Sequence, residues 1–275
     1  MADPGDILRF DDVTLDFDEV KALDNVSFSV RAGETRVIFG AASGGKTTLL
    51  KAAVGLVKPD SGRIYLFGEE VTGMDERDLI ALRSRVGILF QEGGLFDSLT
   101  IEENVEYPLM NAKVRAARDD GRSVGDKVRD ALRFVELEQT LDKYPSELSG
   151  GMRRRVGIAR AVVSEPPLVL YDSPTAGLDP ITANLIVALI VKERDLRNTA
   201  AIIVTHRYQD GHLVANFRYN PGSGGLQRAS RNGDSNRMRS KTIFMVMNQG
   251  RLVFEGSEQE LEASRDPYVA KFVKR

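Results

Sequence analysis

The sequence predicts an α/β fold with a mainly parallel sheet covered on both faces. Two apolar runs, PLVLYD (Pro167–Asp172) and AAIIVTH (Ala200–His206), are continuous rather than alternating, as in strands buried on both sides. Strand-like and helix-like segments also alternate along most of the chain. With 275 residues, 42% of them hydrophobic, the chain can bury a large core, and it reads as one domain over residues 5–275.

The elements follow in order. Val13, Leu15 and Phe17, then Val26, Phe28 and Val30, alternate with polar residues and predict half-buried strands. These strands and residues 62–70 would form an antiparallel β-lobe around 5–35 and 62–70. TRVIFG (Thr35–Gly40) is a strand entering a Gly-rich turn, and KTTLLKAAVGL after it has helical spacing. RIYLFG and VGILF are further strands. Residues 93–160 predict a helical lobe. Asp179 followed by Pro180 is an N-cap with proline at the first helical position. TIFMVM and LVFEG close the sheet. Arg218–Lys241 carries six basic residues and one acidic residue with almost no apolar content, and reads as a solvated surface loop or as a basic contact to anionic lipid or a partner.

Composition excludes several classes. A formal net charge of -2 argues against nucleic-acid binding driven by bulk charge. No cysteine is present, so disulfides, thiolate metal sites and cysteine redox chemistry are excluded. The N-terminus lacks the basic start and apolar stretch of a secretory signal, and no apolar run approaches the roughly 20 residues that span a bilayer. A membrane role is therefore expected through a partner.

The chemistry lies in GAASGGKT, Gly40–Thr47 (Gly40, Ala41, Ala42, Ser43, Gly44, Gly45, Lys46, Thr47). It matches G-x-x-x-x-G-K-[ST] between a strand and a helix. Small residues let the backbone curl so that N–H groups face phosphate oxygens, and the following helix, through Thr48, adds its positive end. Lys46 would meet the β- and γ-phosphates of ATP and Thr47 would meet Mg²⁺, with Asp172 as the metal's carboxylate. In LSGGMRRR (Leu148–Arg155), Ser149, Gly150 and Gly151 open a second helix start able to bind an anion. Two such ends far apart in one chain suit a head-to-tail homodimer.

These motifs, in this order and over nearly the whole chain, resemble the ATP-binding subunits of ABC transporters. The resemblance implies a P-loop NTPase core, and it assigns Phe17 to the adenine and Gly40–Thr47 to the Walker A loop. Gln91 becomes the Q-loop glutamine at the metal and attacking water, and Ser149–Gly151 the signature. Asp172 takes the Walker B place, Ala176–Asp179 the D-loop, and His206 that of the γ-phosphate switch. Read alone, Phe17 could equally be core, Gln91 a surface polar residue and His206 a turn cap. His212 reads as surface or packing, and Arg153–Arg155 as a solvated helix face. The segment Phe90–Leu109 and DPYVAKFV look like the ATPases of Mla- and Mce-type phospholipid transporters. That implies a permease, a lipid-binding Mce-type component and a place on the inner face of the membrane.

One position departs from the pattern. Where the family has a glutamate after the Walker B aspartate, this chain has Ser173, whose hydroxyl cannot serve as a carboxylate base. Slow hydrolysis with water held by Gln91 and His206, a substitute carboxylate at Glu92, and an ATP-gated clamp with little turnover all remain open.

Overall fold

The computed structural model describes residues 5–18, 20–110, 121–229 and 241–273. The N-terminal lobe is a four-stranded antiparallel sheet in the order β2-β1-β4-β5, from β1 (Asp6–Phe17), β2 (Val20–Arg31), β4 (Ser61–Leu66) and β5 (Glu69–Glu70). Its alternation holds: Val13, Leu15, Val26, Phe28 and Val30 are buried. Phe17 does not follow it. Phe17 pairs with Val20 at the hairpin tip and is 50% exposed, which removes the core reading.

The second sheet combines β3 (Thr35–Gly40), β6 (Val86–Leu89), β7 (Leu168–Asp172), β8 (Ala200–Val204), β11 (Thr242–Asn248) and β12 (Arg251–Gly256). Their order is β12-β11-β3-β8-β7-β6, parallel throughout except for the antiparallel edge strand β12. Every residue of β3, β7 and β8 is buried, as the unbroken apolar runs of β7 and β8 require, while in β3 the buried Arg36 is paired with Glu34 and Glu255.

Helices α1 (Lys46–Ala53), α2 (Glu76–Arg83), α3 (Ile101–Glu106), α4 (Val124–Phe134), α5 (Gly150–Val162), α6 (Pro180–Arg197), α7 (Tyr208–Asn216) and α8 (Glu258–Glu262) surround the sheets. One core joins the β-lobe, α1 and one face of the large sheet, through Phe10, Ile38, Leu49 and Leu170. A second joins the other face to the helical lobe, through Ile101, Leu132, Val156 and Ile186. A third, around Phe39, Phe244, Leu261 and Val269, packs the C-terminal segment behind β3 and β11.

The basic stretch 218–241 is not loop throughout. β9 (Phe217–Asn220) and β10 (Gly225–Arg228) form a hairpin whose turn is closed by the Gly224 N–H on the Asn220 carbonyl at 2.9 Å. Tyr219 N–H donates to Asp195 on α6 at 2.8 Å, which docks the hairpin. Residues 230–240 lie outside the described residues.

Candidate functional site

The parallel order β3-β8-β7-β6 sets four chain segments side by side, all leaving the same strand ends. The phosphate loop follows β3, His206 lies just beyond β8, Asp172 ends β7, and Gln91 starts a 3-10 turn (Gln91–Gly93) just beyond β6. Such carboxyl ends are where open α/β sheets bind ligands. The register holds across the gaps: Ser173 N–H donates to Val204 O at 2.9 Å, and Thr205 N–H to Ile38 O at 3.1 Å.

The loop's backbone needs its small residues. Gly45 has φ +92°, and a Cβ there would lie 2.1 Å from Ala22 O of β2. The same contact places the β1–β2 hairpin, and so exposed Phe17, beside the loop. Gly45 caps α1 with no side-chain bond and the first turn holds no acid, so the helix's leading N–H groups stay available to an anion. Lys46 Nζ donates to Gly40 O at 3.0 Å and Ala41 O at 2.6 Å. Burial lowers the Lys46 pKa, and the Asp172 carboxylate opposes that shift.

Thr47 Oγ1 donates to Asp172 Oδ2 at 2.8 Å, and Asp172 is buried. A hydroxyl and a carboxylate so placed are hard oxygen donors, and they fit Mg²⁺, which takes one or two protein carboxylates and completes its shell with water and phosphate.

Ser173 has φ +49°, and its Oγ donates to Asp172 Oδ1 at 3.1 Å. The hydroxyl therefore supports the Asp172 carboxylate and brings no second charge. The side chain of Glu92, the substitute considered from sequence, lies outside the described residues.

His206 is exposed at the strand end. Its neighbour Thr205 is held by a buried carboxylate, since Thr205 Oγ1 donates to Asp210 Oδ2 at 2.7 Å and accepts from the Arg207 N–H at 3.1 Å. Thr175 Oγ1 donates to the same Asp210 oxygen at 2.5 Å. Asp210 thus ties the turn after Asp172 to the turn carrying His206.

Ser149, Gly150 and Gly151 stand at the start of α5. Ser149 caps α5, accepting from Met152 N–H at 3.2 Å. Gly151 packs against α6, where a Cβ would lie 2.6 Å from Thr182 Cγ2. Asp179 caps α6 through the N–H groups of Ile181 and Thr182, both at 3.0 Å, and the Thr182 hydroxyl holds its carboxyl below the usual range.

The three arginines are not a solvated face. Arg154 is buried and donates to Ser173 O at 2.7 Å and Ala176 O at 3.2 Å. Arg153 donates to Leu148 O at 2.6 Å and Arg155 to Val135 O at 3.2 Å. Ten residues along α5 from Gly150, Arg160 donates to Gly93 O at 3.1 Å and Gly94 O at 2.7 Å, anchoring the turn that carries Gln91. His212 is packing, its Nδ1 2.7 Å from Glu258 Oε1.

A model of the ABC transporter family matches residues 23–176. The methionine import ATP-binding protein MetN of Corynebacterium efficiens is 40% identical over 217 residues, covering 77% of this chain and 59% of that protein. This chain thus spans little more than half the length of such relatives. Among solved structures, the dimeric bacterial ABC transporter cassette MJ0796 matches with a TM-score of 0.75 at 27% identity, over 91% of this chain and 98% of that one. The same cassette in a dimeric post-hydrolysis state bound to ADP and Pi matches with a TM-score of 0.73 at 26% identity, again over 91% and 98%. The MetN relatives are named for methionine import, not for the phospholipid transport expected from Phe90–Leu109. The chain belongs to the ABC transporter family.

Proposed function

We propose that the chain is the ATP-binding and hydrolysing subunit of a membrane transporter, working as a head-to-tail homodimer beneath a permease at the inner face of the membrane. The observation that carries this is the convergence of Lys46, the Thr47–Asp172 pair, His206 and Gln91 at adjacent strand ends. The loop N–H groups and Lys46 would bind the phosphates, and Phe17 the adenine. Thr47 and Asp172 would hold Mg²⁺, with Gln91 near it; the ion, when bound, neutralises phosphate charge. Ser149 and Gly150 would close on the partner's nucleotide, as the dimeric cassettes of like fold support. Among the described residues no helix is long and apolar enough to cross a membrane.

A second reading has its own observation: the Ser173 hydroxyl is engaged with Asp172 and no carboxylate follows Asp172. In that reading the chain is a nucleotide-gated clamp with little turnover. Steady-state Mg-ATP hydrolysis by the chain with its permease separates the two. Activity clearly above a Lys46→Ala control supports the motor. Activity equal to that control, with Ser173→Glu active, supports the clamp. A missing base costs a factor of about 10² to 10⁴, so Ser173→Glu has that range available to recover.

Cargo is chosen by the permease. The names of the relatives support methionine, although the aligned cassette is the part that handles nucleotide rather than cargo. The segment Phe90–Leu109 supports a phospholipid system with a Mce-type component, and its Phe90, Phe96 and Tyr107 are exposed, as a permease contact requires. Stimulation of the complex's ATPase by methionine or by phospholipid, one and not the other, decides between them.

A further inference from the structure

The C-terminal segment lies outside the residues matched by the family model, yet it reaches the phosphate loop. Asp266 Oδ1 accepts from the N–H groups of Tyr268 at 2.7 Å and Val269 at 3.1 Å, starting a short 3-10 turn, Val269–Phe272. Phe272 stacks on Phe39, the last residue before Gly40, with centroids 6.1 Å apart, and Tyr268 meets Phe272 edge-on at 5.3 Å. Helix α8, just before, is bolted to α7: the Tyr208 hydroxyl lies 2.9 Å from Glu258 and 2.5 Å from Glu262.

This packing fixes one hydroxyl. Tyr268 Oη accepts from the Ala41 N–H at 3.2 Å and donates to Met247 O at 3.1 Å. Met247 O is the atom that a Cβ at Gly40 would approach to 2.7 Å, so the loop starts against the end of β11 with the tyrosine bridging the two. The Ala41 carbonyl, on the same residue, accepts from Lys46 Nζ at 2.6 Å. A continuous chain of bonds therefore runs from Tyr268 through Ala41 to the ammonium.

We propose that Tyr268 is a positioning residue for nucleotide binding, fixing Ala41 and through it the Lys46 ammonium from the C-terminal segment. The proposal rests on the nucleotide reading of the loop. Without the hydroxyl, the Ala41 N–H and Met247 C=O lose a shared partner and the start of the loop explores more conformations. A triphosphate must then order what was ordered in advance, which weakens binding. Tyr268 touches only the start of the loop, so the effect falls on affinity and leaves turnover at saturation alone.

The test is a titration of the full chain with a fluorescent ATP analogue and Mg²⁺, with KM and kcat measured on the complex. Tyr268→Phe, which keeps the ring on Phe272, is expected to raise Kd and KM about three- to tenfold, the effect of losing one or two neutral hydrogen bonds, with kcat unchanged. Val128→Ala, in the buried core of the helical lobe, serves as the stability control: its thermal midpoint falls while Kd holds. Saturable wild-type binding with an unchanged Kd in Tyr268→Phe overturns the proposal alone. So does a loss of kcat at unchanged Kd. A wild-type chain with no saturable binding overturns the nucleotide reading along with it.

Discussion

Around β3, β7 and β8 the candidate site residues are placed by backbone ladders between fully buried strands, with Asp172 paired to Val204 and Thr205 N–H bound to Ile38 O. Around α5 they are placed by guanidinium groups on carbonyls: Arg154 on Ser173 and Ala176, Arg160 on Gly93 and Gly94. A ladder spreads its hold over many equivalent bonds between neighbouring strands. An arginine concentrates it in one side chain that can be lost in a single substitution. On the strand-end side, single changes are therefore felt most at the close-packed loop glycines and at Asp210, and in the helical lobe at the arginine anchors.

The largest effect expected is at Lys46. Lys46→Ala should lower steady-state hydrolysis by about 10² to 10³-fold, the usual loss when a preorganised charge-stabilising donor is removed, while the melting curve hardly moves. A loss below tenfold, read by phosphate release, breaks the claim that the strand ends form the reacting site. Arg154→Ala should have the opposite profile, lowering stability by about 2–4 kcal/mol in denaturant titrations because two carbonyls lose a buried charged donor. Arg154→Lys should recover less than half of that, since an ammonium cannot span both carbonyls as the planar fork does. Full recovery by lysine would mean that charge, not the fork, holds the lobe. The smallest effect is at Asp179, an exposed helix cap. Asp179→Ala should lower stability by less than either arginine change, and a null result in the same titrations would show that the α6 start is held from Thr182 and Gly151 alone.

The same contrast explains what could be read from sequence. β7 and β8 announced themselves as unbroken apolar runs, and β3 with the phosphate loop by local spacing, because the residues that matter there are neighbours in the chain. Ser149 and Asp179 were legible as caps for the same reason. Arg154, Arg160, Asp210 and Tyr268 were not. Each acts on a group distant in sequence, and for three of them that group is a backbone carbonyl or N–H, which every residue carries and which leaves no mark in the sequence. Three consecutive arginines looked solvated because composition is silent on direction. The hairpin Phe217–Arg228 was hidden by its polar composition, although its Asn-Pro-Gly turn was a readable signal. Phe17 fitted the alternation of its strand, and only the hairpin tip at Val20 shows why it faces out.

Helix α5 is a continuous rod, and about 16 Å separate Ser149 at its start from Arg160 near its end, at 1.5 Å per residue. Gly93 of the Gln91 turn lies against Arg153 and Gly157 as well as Arg160, since a Cβ at Gly93 would come within 3.0 Å of Arg153 O, so turn and rod move as one body. A tilt of about 10° about the Arg160 anchor would swing Ser149 by about 3 Å over that span, a hydrogen-bond length. Any push on the turn after β6 is thereby carried to the helix start at Ser149.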